Sequence, residues 1–203
     1  MSTVEAADAG QPSEDSQEQR VSPLELFFDL VFVFALTQVT AFLAAYLTWG
    51  GVLRGTALLA ALWWAWASYS WLTNAVPAHE AILARLIVLS TMVAMLVASL
   101  GVPGAFGEYG VIFGVSYFVV RLLMVVLYVP ATGGTPEARG AILRLAPGFL
   151  GGTALLVVAG FLDGFAQGAL WALALAIDYG GPLIFGVAGF RIHAGPSWSA
   201  TAS

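Results

Sequence analysis

Residues 24–47 read LELFFDLVFVFALTQVTAFLAAYL, an apolar run that contains only two charged side chains, Glu25 and Asp29. A helix needs about 20 mostly apolar residues to cross the hydrocarbon core of a bilayer, and this run is long enough. Ser22 and Pro23 stand directly before it. They favour a helix start, because serine caps the first turn and proline fits it. The run therefore predicts a transmembrane helix.

Five further apolar runs of similar length follow, separated by short breaks rich in glycine and proline. The last break is predicted to be a tight turn near Asp163 and Gly164. No break is long enough to hold a domain outside the membrane. The predicted fold is all-α, a polytopic transmembrane helix bundle of about six spans. The predicted helices are 24–47, 52–72, 81–100, 110–129, 141–162 and 165–187.

Composition supports a lipid environment. Of the 203 residues, 60% are apolar and only 9% charged, against about a quarter charged in a soluble domain. So few charges cannot cover a surface that faces water, and the expected partner is the lipid bilayer. All basic residues are arginines, a coding bias that predicts a bacterial source. We therefore expect a multi-pass protein of the bacterial inner membrane.

The charges divide the chain into three parts. Residues 1–20 hold five of the twelve acidic residues and a single arginine, and they are predicted to form a disordered acidic tail. Residues 21–190 are the predicted six-helix transmembrane domain, and 191–203 a short C-terminal tail. No basic patch appears, so nucleic-acid binding is not expected.

Arginine positions predict the orientation. Positive residues beside membrane spans stay on the cytoplasmic side. With six spans, one side has four arginines and a fifth close by, whereas the other side has only Arg54. Both termini are therefore predicted to be cytoplasmic. The arginines of the first side are Arg20, Arg139, Arg144 and Arg191, with Arg85 close by.

Three acids and three arginines fall inside the predicted spans. A charge at the bilayer centre costs at least about 3 kcal/mol, so such residues are usually paired or line a cavity. Counting the helical rise along each span puts all six in the cytoplasmic half. We predict a buried charge network in which Asp29 faces Arg85 or Arg121. The six residues are Glu25, Asp29, Arg85, Arg121, Arg144 and Asp178, and the predicted polar helix positions are Gln38 and Asn74.

Two interpretations of this network stay open. The charged pairs either fix the helix register and neutralise one another, or they line a polar path for an ion, a proton or a small solute. The first interpretation predicts dry, mutually satisfied side chains. The second predicts a water-accessible cavity that reaches Asp29, Arg85 and Arg121.

Sequence patterns of catalysis are absent. The chain has no phosphate-binding loop, dinucleotide fingerprint, GxSxG elbow or HExxH helix. It has no cysteine, and its two histidines, His79 and His193, fall in a loop and a tail. We therefore expect no enzyme activity, no catalytic residue, no cofactor and no metal site.

Small residues recur at a spacing of four. In lipid, such pairs let two helix backbones approach closely. The contact is either packing inside the chain or a face for a homo-oligomer. The positions are Gly110 with Gly114, Gly148 with Gly152, and Ala57, Ala61 and Ala65.

Residues 22–39, SPLELFFDLVFVFALTQV, resemble the opening of the bacterial low temperature requirement protein A (LtrA) family. The similarity extends over about residues 20–193, and it implies a multi-pass membrane protein linked to growth in the cold. It supplies no mechanism. Further similar positions are WWAW at 63–66, WLTN at 71–74, Arg85, Arg121, DY at 178–179, GP at 181–182 and RIH at 191–193.

Members of this family typically continue with more membrane helices, whereas this chain ends in a small, polar stretch at 194–203. We expect either a truncated or frameshifted N-terminal half, or a short member that completes its bundle by dimerising. Three functions stay open. They are a transporter or channel-like protein, a non-transporting protein that acts through partners in cold or envelope adaptation, and an inactive fragment.

Overall fold

The computed structural model describes residues 23–75, 82–131 and 136–185. Within these ranges the regular structure is all-helical, which confirms the all-α part of the predicted fold. Six helices coincide with the six predicted runs, and a short 3₁₀ turn at Val102–Gly104 precedes the fourth. The helices are α1 (Pro23–Ala45), α2 (Trp49–Ala75), α3 (Ile82–Gly101), α4 (Gly110–Ala131), α5 (Pro136–Ala159) and α6 (Gly164–Phe185). The predicted tails, 1–20 and 191–203, lie outside the described residues.

Two helix starts differ from the predicted ones, each for a local reason. α2 begins at Trp49 although a glycine pair predicted a break, because the Thr48 hydroxyl accepts a hydrogen bond from the Gly51 N–H at 3.1 Å and caps the helix. Only glycine fits at Gly51, since a Cβ there would lie 2.0 Å from the Tyr46 carbonyl oxygen. α5 begins at Pro136, earlier than predicted, because proline suits the first helical turn.

The turn between α5 and α6 is tight, as predicted. The N–H of Leu162 donates to the Ala159 carbonyl at 3.2 Å, so the chain turns directly at the end of α5. Gly164 has φ of 65°, in the left-handed region that glycine adopts without strain. The two helices therefore form a close hairpin.

Among the described residues, three segments are long and apolar enough to cross a membrane: Leu26–Ala45, Ile82–Gly104 and Gly110–Tyr128. In α5 the apolar part is shorter, Ala146–Ala159. α6 carries Gln167 and Asp178, which lower its hydropathy but are both buried in the bundle. The polar residues of α6 thus face protein, while its remaining surface stays apolar.

Large apolar side chains are exposed on the outside of the bundle. They include Leu30 on α1, Val93 on α3, Val126 on α4 and Leu173 on α6, each exposed by about half or more. A water-soluble monomer rarely exposes so much contiguous apolar surface. Lipid chains accept it, so this distribution indicates a membrane protein.

Helices that are consecutive in the chain run antiparallel. α1 packs on α2 and α3, α3 on α4, α4 on α5, and α5 on α6, while α2 also contacts α4 and α6. Phe28, early in α1, stacks on Tyr69, late in α2, with ring centroids 3.6 Å apart. α2, α4 and α6 therefore run in one direction and α1, α3 and α5 in the other. The inward faces of α2, α4 and α6 meet at the centre.

Glycine brings the backbones of α4 and α5 into close contact. A Cβ on Gly114 would lie 2.7 Å from the Leu156 carbonyl oxygen, and one on Gly160 would lie 2.6 Å from the Gly110 carbonyl carbon. The predicted pair of Gly110 and Gly114 therefore packs against α5 within the chain. Gly148, by contrast, has no neighbour within 4 Å of a Cβ position. The predicted homo-oligomer face stays a prediction.

Replacing Gly114 by alanine tests this crossing. We expect the free energy of unfolding to fall by about 1–3 kcal/mol, because the added methyl group meets backbone atoms that cannot rotate away. The measurement is thermal or chemical unfolding in detergent. Gly151→Ala on α5 is the matched control, since a Cβ there meets nothing within 4 Å. Equal destabilisation by both variants would contradict the close crossing.

Candidate functional site

The centre of the bundle holds one buried ion pair. Arg121 on α4 donates through Nη2 to Oδ1 of Asp178 on α6. Their side chains are 5% and 4% exposed. Among the described residues these are the two buried charged side chains. They belong to the six charged positions that the sequence predicted, and the structure brings them together.

Helical spacing explains this meeting. Phe113, Tyr117 and Arg121 follow one another at intervals of four and form one face of α4. On α6, Trp171 and Asp178 are seven residues apart and share a face too. The two helices run parallel, and Phe113 lies against Trp171 with centroids 5.3 Å apart. The same register, about two turns further along both helices, places Arg121 beside Asp178.

Tyr117 connects the ion pair to α2. Its hydroxyl lies 2.9 Å from the Ala61 carbonyl oxygen and 3.3 Å from Oδ2 of Asp178. The hydroxyl carries one proton, so it donates to one of these two acceptors at a time. Donation to the carbonyl leaves the phenolic oxygen free to accept a hydrogen bond from a protonated carboxyl group.

Arg121 has further contacts on its other sides. Nη1 donates to the Ser68 hydroxyl at 3.3 Å, and that hydroxyl donates to the Trp64 carbonyl at 2.7 Å. The guanidinium carbon lies 5.1 Å from the centroid of the Phe149 ring, at cation–π distance. Nε is buried and has no acceptor among the described residues.

α2 presents backbone carbonyls to α4 and α6. Ala61 accepts from Tyr117, and the adjacent Ala60 accepts from the Tyr179 hydroxyl at 2.8 Å. The small side chains let both tyrosines reach the helix backbone. Trp64 packs on Tyr179 with centroids 4.6 Å apart, and its indole N–H is a second buried donor without an acceptor in the described structure.

Asp29 belongs to a different contact. It is exposed, and its Oδ1 accepts a hydrogen bond from the Trp66 indole N–H at 3.0 Å. Phe32 stacks on the same tryptophan at 5.0 Å. Asp29 thus lies at the seam of α1 and α2, whereas the predicted partner Arg121 is paired with Asp178.

Of the other predicted positions, two more have side chains that the structure describes. Arg85 is an exposed residue in the first turn of α3, and Gln38 is half-buried on α1. The side chains of Glu25, Asn74 and Arg144 lie outside what the structure describes. The sequence did not point to Tyr117 or Ser68, and it pointed to Trp64, Trp66 and Tyr179 only as positions similar to the family. Tyr117 could have been found, because it precedes Arg121 by one helical interval of four.

A recess opens at the end of the bundle where α1 joins α2. It has a volume of about 460 Å³, and Arg54, Glu108 and Phe106 are among its lining residues. Arg54 lies 5.5 Å from the centroid of the Phe106 ring. Beside the recess, the hydrogen bond to the Glu108 carboxylate raises the pKa of Tyr109, since a phenolate there would face a second negative charge.

An aromatic stack separates this recess from the ion pair. Phe106 packs on Trp171 with centroids 4.6 Å apart, and Trp171 packs on Phe113. Phe113 in turn precedes Tyr117 on α4, with their rings 6.0 Å apart. The order from one end to the centre is therefore recess, aromatic stack, tyrosine and ion pair. In the described residues no three His, Asp or Glu side chains are grouped as a metal site.

A sequence model of the bacterial low temperature requirement A protein (LtrA) family matches residues 20–200. The chain belongs to this family. Its family membership and its long apolar helices together indicate a membrane protein. The LtrA resemblance of the first helix is thereby confirmed, and the match covers all six helices.

One relative of this LtrA chain is an uncharacterised protein of Rhizobium meliloti (strain 1021). The two are 27% identical over 172 residues, which are 84% of this chain and 42% of the relative. The chain thus spans about two fifths of the length of that curated relative. No solved structure matches the LtrA chain significantly.

The ion pair predicts a strong non-additivity. We expect Arg121→Gln to lower the free energy of unfolding by roughly 3–5 kcal/mol, because it leaves the Asp178 carboxylate buried without a counter-charge. Adding Asp178→Asn to that variant should restore most of the loss, since the two amides are neutral. Chemical unfolding in detergent measures both effects.

Asp29→Asn is the control for these variants. An amide oxygen still accepts from Trp66, so the expected change is within about 0.5 kcal/mol, as at other exposed sites. If the losses of the two central substitutions simply add, Arg121 and Asp178 do not act as a pair.

Proposed function

We propose that this chain is a six-span domain of the bacterial inner membrane that carries a small ion or solute across the bilayer. We propose further that it acts by transport and not by chemical catalysis. The observation that carries the proposal is the Arg121–Asp178 pair, which lies beneath a recess and an aromatic stack. That longer members of the family also act by transport is part of the same proposal.

Helix direction supports six spans with both termini in the cytoplasm. Consecutive helices alternate in direction, so an even number of crossings returns the chain to its starting side. Arginines favour the side of the two tails. On this topology the recess that contains Arg54 opens to the outside. Arg121 lies about 16 Å along α4 from Gly110, near the middle of the membrane.

Energetics favour a functional role for the ion pair. A buried ion pair contributes little net stability, because desolvating two charges offsets most of their attraction. Packing α4 against α6 requires no charge, and apolar residues of the same size hold such helices equally well. Ionisable residues in a membrane core are typically part of an ion or solute path. The closed aromatic stack corresponds to a path that is shut at its centre.

A second candidate is a membrane protein without transport activity that acts through partners, for example in adaptation to cold. The nearly complete burial of Arg121 and Asp178 favours it, since dry and mutually paired charges also suit a purely structural role. The two candidates differ in whether solute crosses the membrane.

Topology is tested by single cysteines, for which the chain offers a cysteine-free background. We expect Ser13→Cys and Ser199→Cys to react with an impermeant maleimide only after the membrane is opened. Asp163→Cys and Glu108→Cys should react in intact cells, because the turns that carry them face outward. Labelling of the two tails from opposite sides would overturn the six-span topology.

Transport is tested by flux in proteoliposomes with potassium, proton, chloride and nitrate probes. We expect the wild-type chain to pass at least one of them. The Arg121→Gln/Asp178→Asn double variant should lose flux by about tenfold or more, equivalent to at least 1.4 kcal/mol at the barrier. Asp163→Asn, in the exposed α5–α6 turn, should keep it. A folded wild-type protein that passes none of the probes would favour the second candidate.

A further inference from the structure

We propose that the transported solute is a small monovalent oxyanion, which binds Arg121 when Asp178 takes up a proton. This inference rests on the transport function proposed above, and it adds the substrate class and the coupling. It follows from three features of the centre: its charge balance, its open hydrogen-bond donors and the position of Tyr117.

Charge balance sets the coupling. Arg121 does not lose its proton in proteins, so its positive charge is fixed. Asp178 is the partner whose charge can change. An anion that entered beside the intact pair would leave a net negative charge in a dry core, which is unfavourable. An anion that enters together with one proton leaves the centre neutral.

The groups that face Asp178 support this assignment. Arg121 and Tyr117 face it from α4, and on its own helix Tyr179 follows it. The nearby part of α2 offers the Ala60 and Ala61 carbonyls, Trp64 and Ser68, none of which titrates. On α5 the described neighbours are Phe149, against Arg121, and Gly152, against Ala174 and Ile177. Among the described residues, Asp178 is therefore the carboxyl group at this centre.

The open groups are donors. The Arg121 side chain is 5% exposed, and its Nε has no acceptor in the described structure. The indole N–H of Trp64, on the α2 turn that contacts Arg121 through Ser68, also lacks one. Buried N–H groups without acceptors are rare in native proteins. A ligand that satisfies them must be an acceptor, as an anion is.

The shape of the guanidinium selects an oxyanion. Nε and Nη2 of Arg121 lie on the same edge, and Asp178 occupies only Nη2. When the carboxyl group leaves, this edge offers two parallel N–H donors. Two oxygens of a planar oxyanion such as nitrate or formate match that spacing, as in other bidentate arginine pairs.

Tyr117 gives the protonated carboxyl group a partner. The proton moves from water onto a carboxyl oxygen of Asp178, and the neutral acid then donates to the phenolic oxygen of Tyr117, 3.3 Å from Oδ2. Tyr117 keeps its own donation to the Ala61 carbonyl. One proton and one anion thus enter together, and neither charged group of the original pair is left unsatisfied.

The first test is binding of nitrate to the purified full chain in nanodiscs, by calorimetry between pH 5 and pH 8. We expect affinity to fall by about tenfold per pH unit on the alkaline side, the slope for one proton per anion. In a weakly buffered sample, the protein should take one proton from solution for each nitrate bound, and the pH should rise accordingly. Nitrate binding without proton uptake would overturn the coupling.

Variants locate the site. Asp178→Asn should bind nitrate with an affinity independent of pH, because its amide is already neutral. Without nitrate this variant should unfold about 10 °C below wild type, since Arg121 is unpaired. Bound nitrate should return its unfolding temperature to that of wild type. Asp163→Asn should keep the wild-type pH dependence. The Arg121→Gln/Asp178→Asn variant should bind no nitrate, and binding by it would place the anion elsewhere.

Flux measurements in proteoliposomes distinguish a failure of this inference from a failure of the proposed transport function. Nitrate binding coupled to a proton, without flux of any probe, would leave the site in place and overturn transport. Flux of potassium or protons without nitrate or formate binding would keep transport and overturn the anion. If the transport function and the anion site are both right, we expect electroneutral nitrate uptake that is driven by an inward proton gradient.

Discussion

The fixed positive charge of Arg121 is the constraint on which the interior of this protein depends. Since the guanidinium keeps its proton, the fold must supply a negative partner at the same depth. Asp178 does so from α6, and the Tyr117 hydroxyl lies 3.3 Å from its second carboxylate oxygen. The parallel registers of α4 and α6 follow from this requirement, because a slip of one residue on either helix would turn one charge toward lipid.

α2 completes the centre through its backbone. Its carbonyls at Ala60 and Ala61 accept from tyrosines on α6 and α4, and Ser68 accepts from Arg121. These acceptors lie within about two turns of one helix. A helix carbonyl has a second lone pair, so it can accept such a bond without losing its own helical one. Small side chains at these positions are therefore functional in packing, since they expose the backbone to the tyrosines.

Much of the fold follows from the sequence. Run length and the glycine-rich breaks placed six helices, and the differences at Trp49 and Pro136 arise from local capping that hydropathy does not report. The charged positions included Arg121 and Asp178. Their pairing could not be predicted, because periodicity shows which residues share a face but not which faces meet. Asp29 shows this limit, since its partner among the described side chains is the indole of Trp66.

The glycine contacts of α4 and α5 divide the bundle into parts of unequal rigidity. Where backbone lies on backbone, as at Gly114 and Leu156, no side chain can rotate to permit sliding. α2 is bonded to α4 and α6 through the side chains of Tyr117, Arg121 and Tyr179. A displacement of α2 would therefore break its bonds to Tyr117 and Tyr179 while α4, α5 and α6 moved as one body. The joint of α2 with α4 and α6 therefore lies beside the central charges.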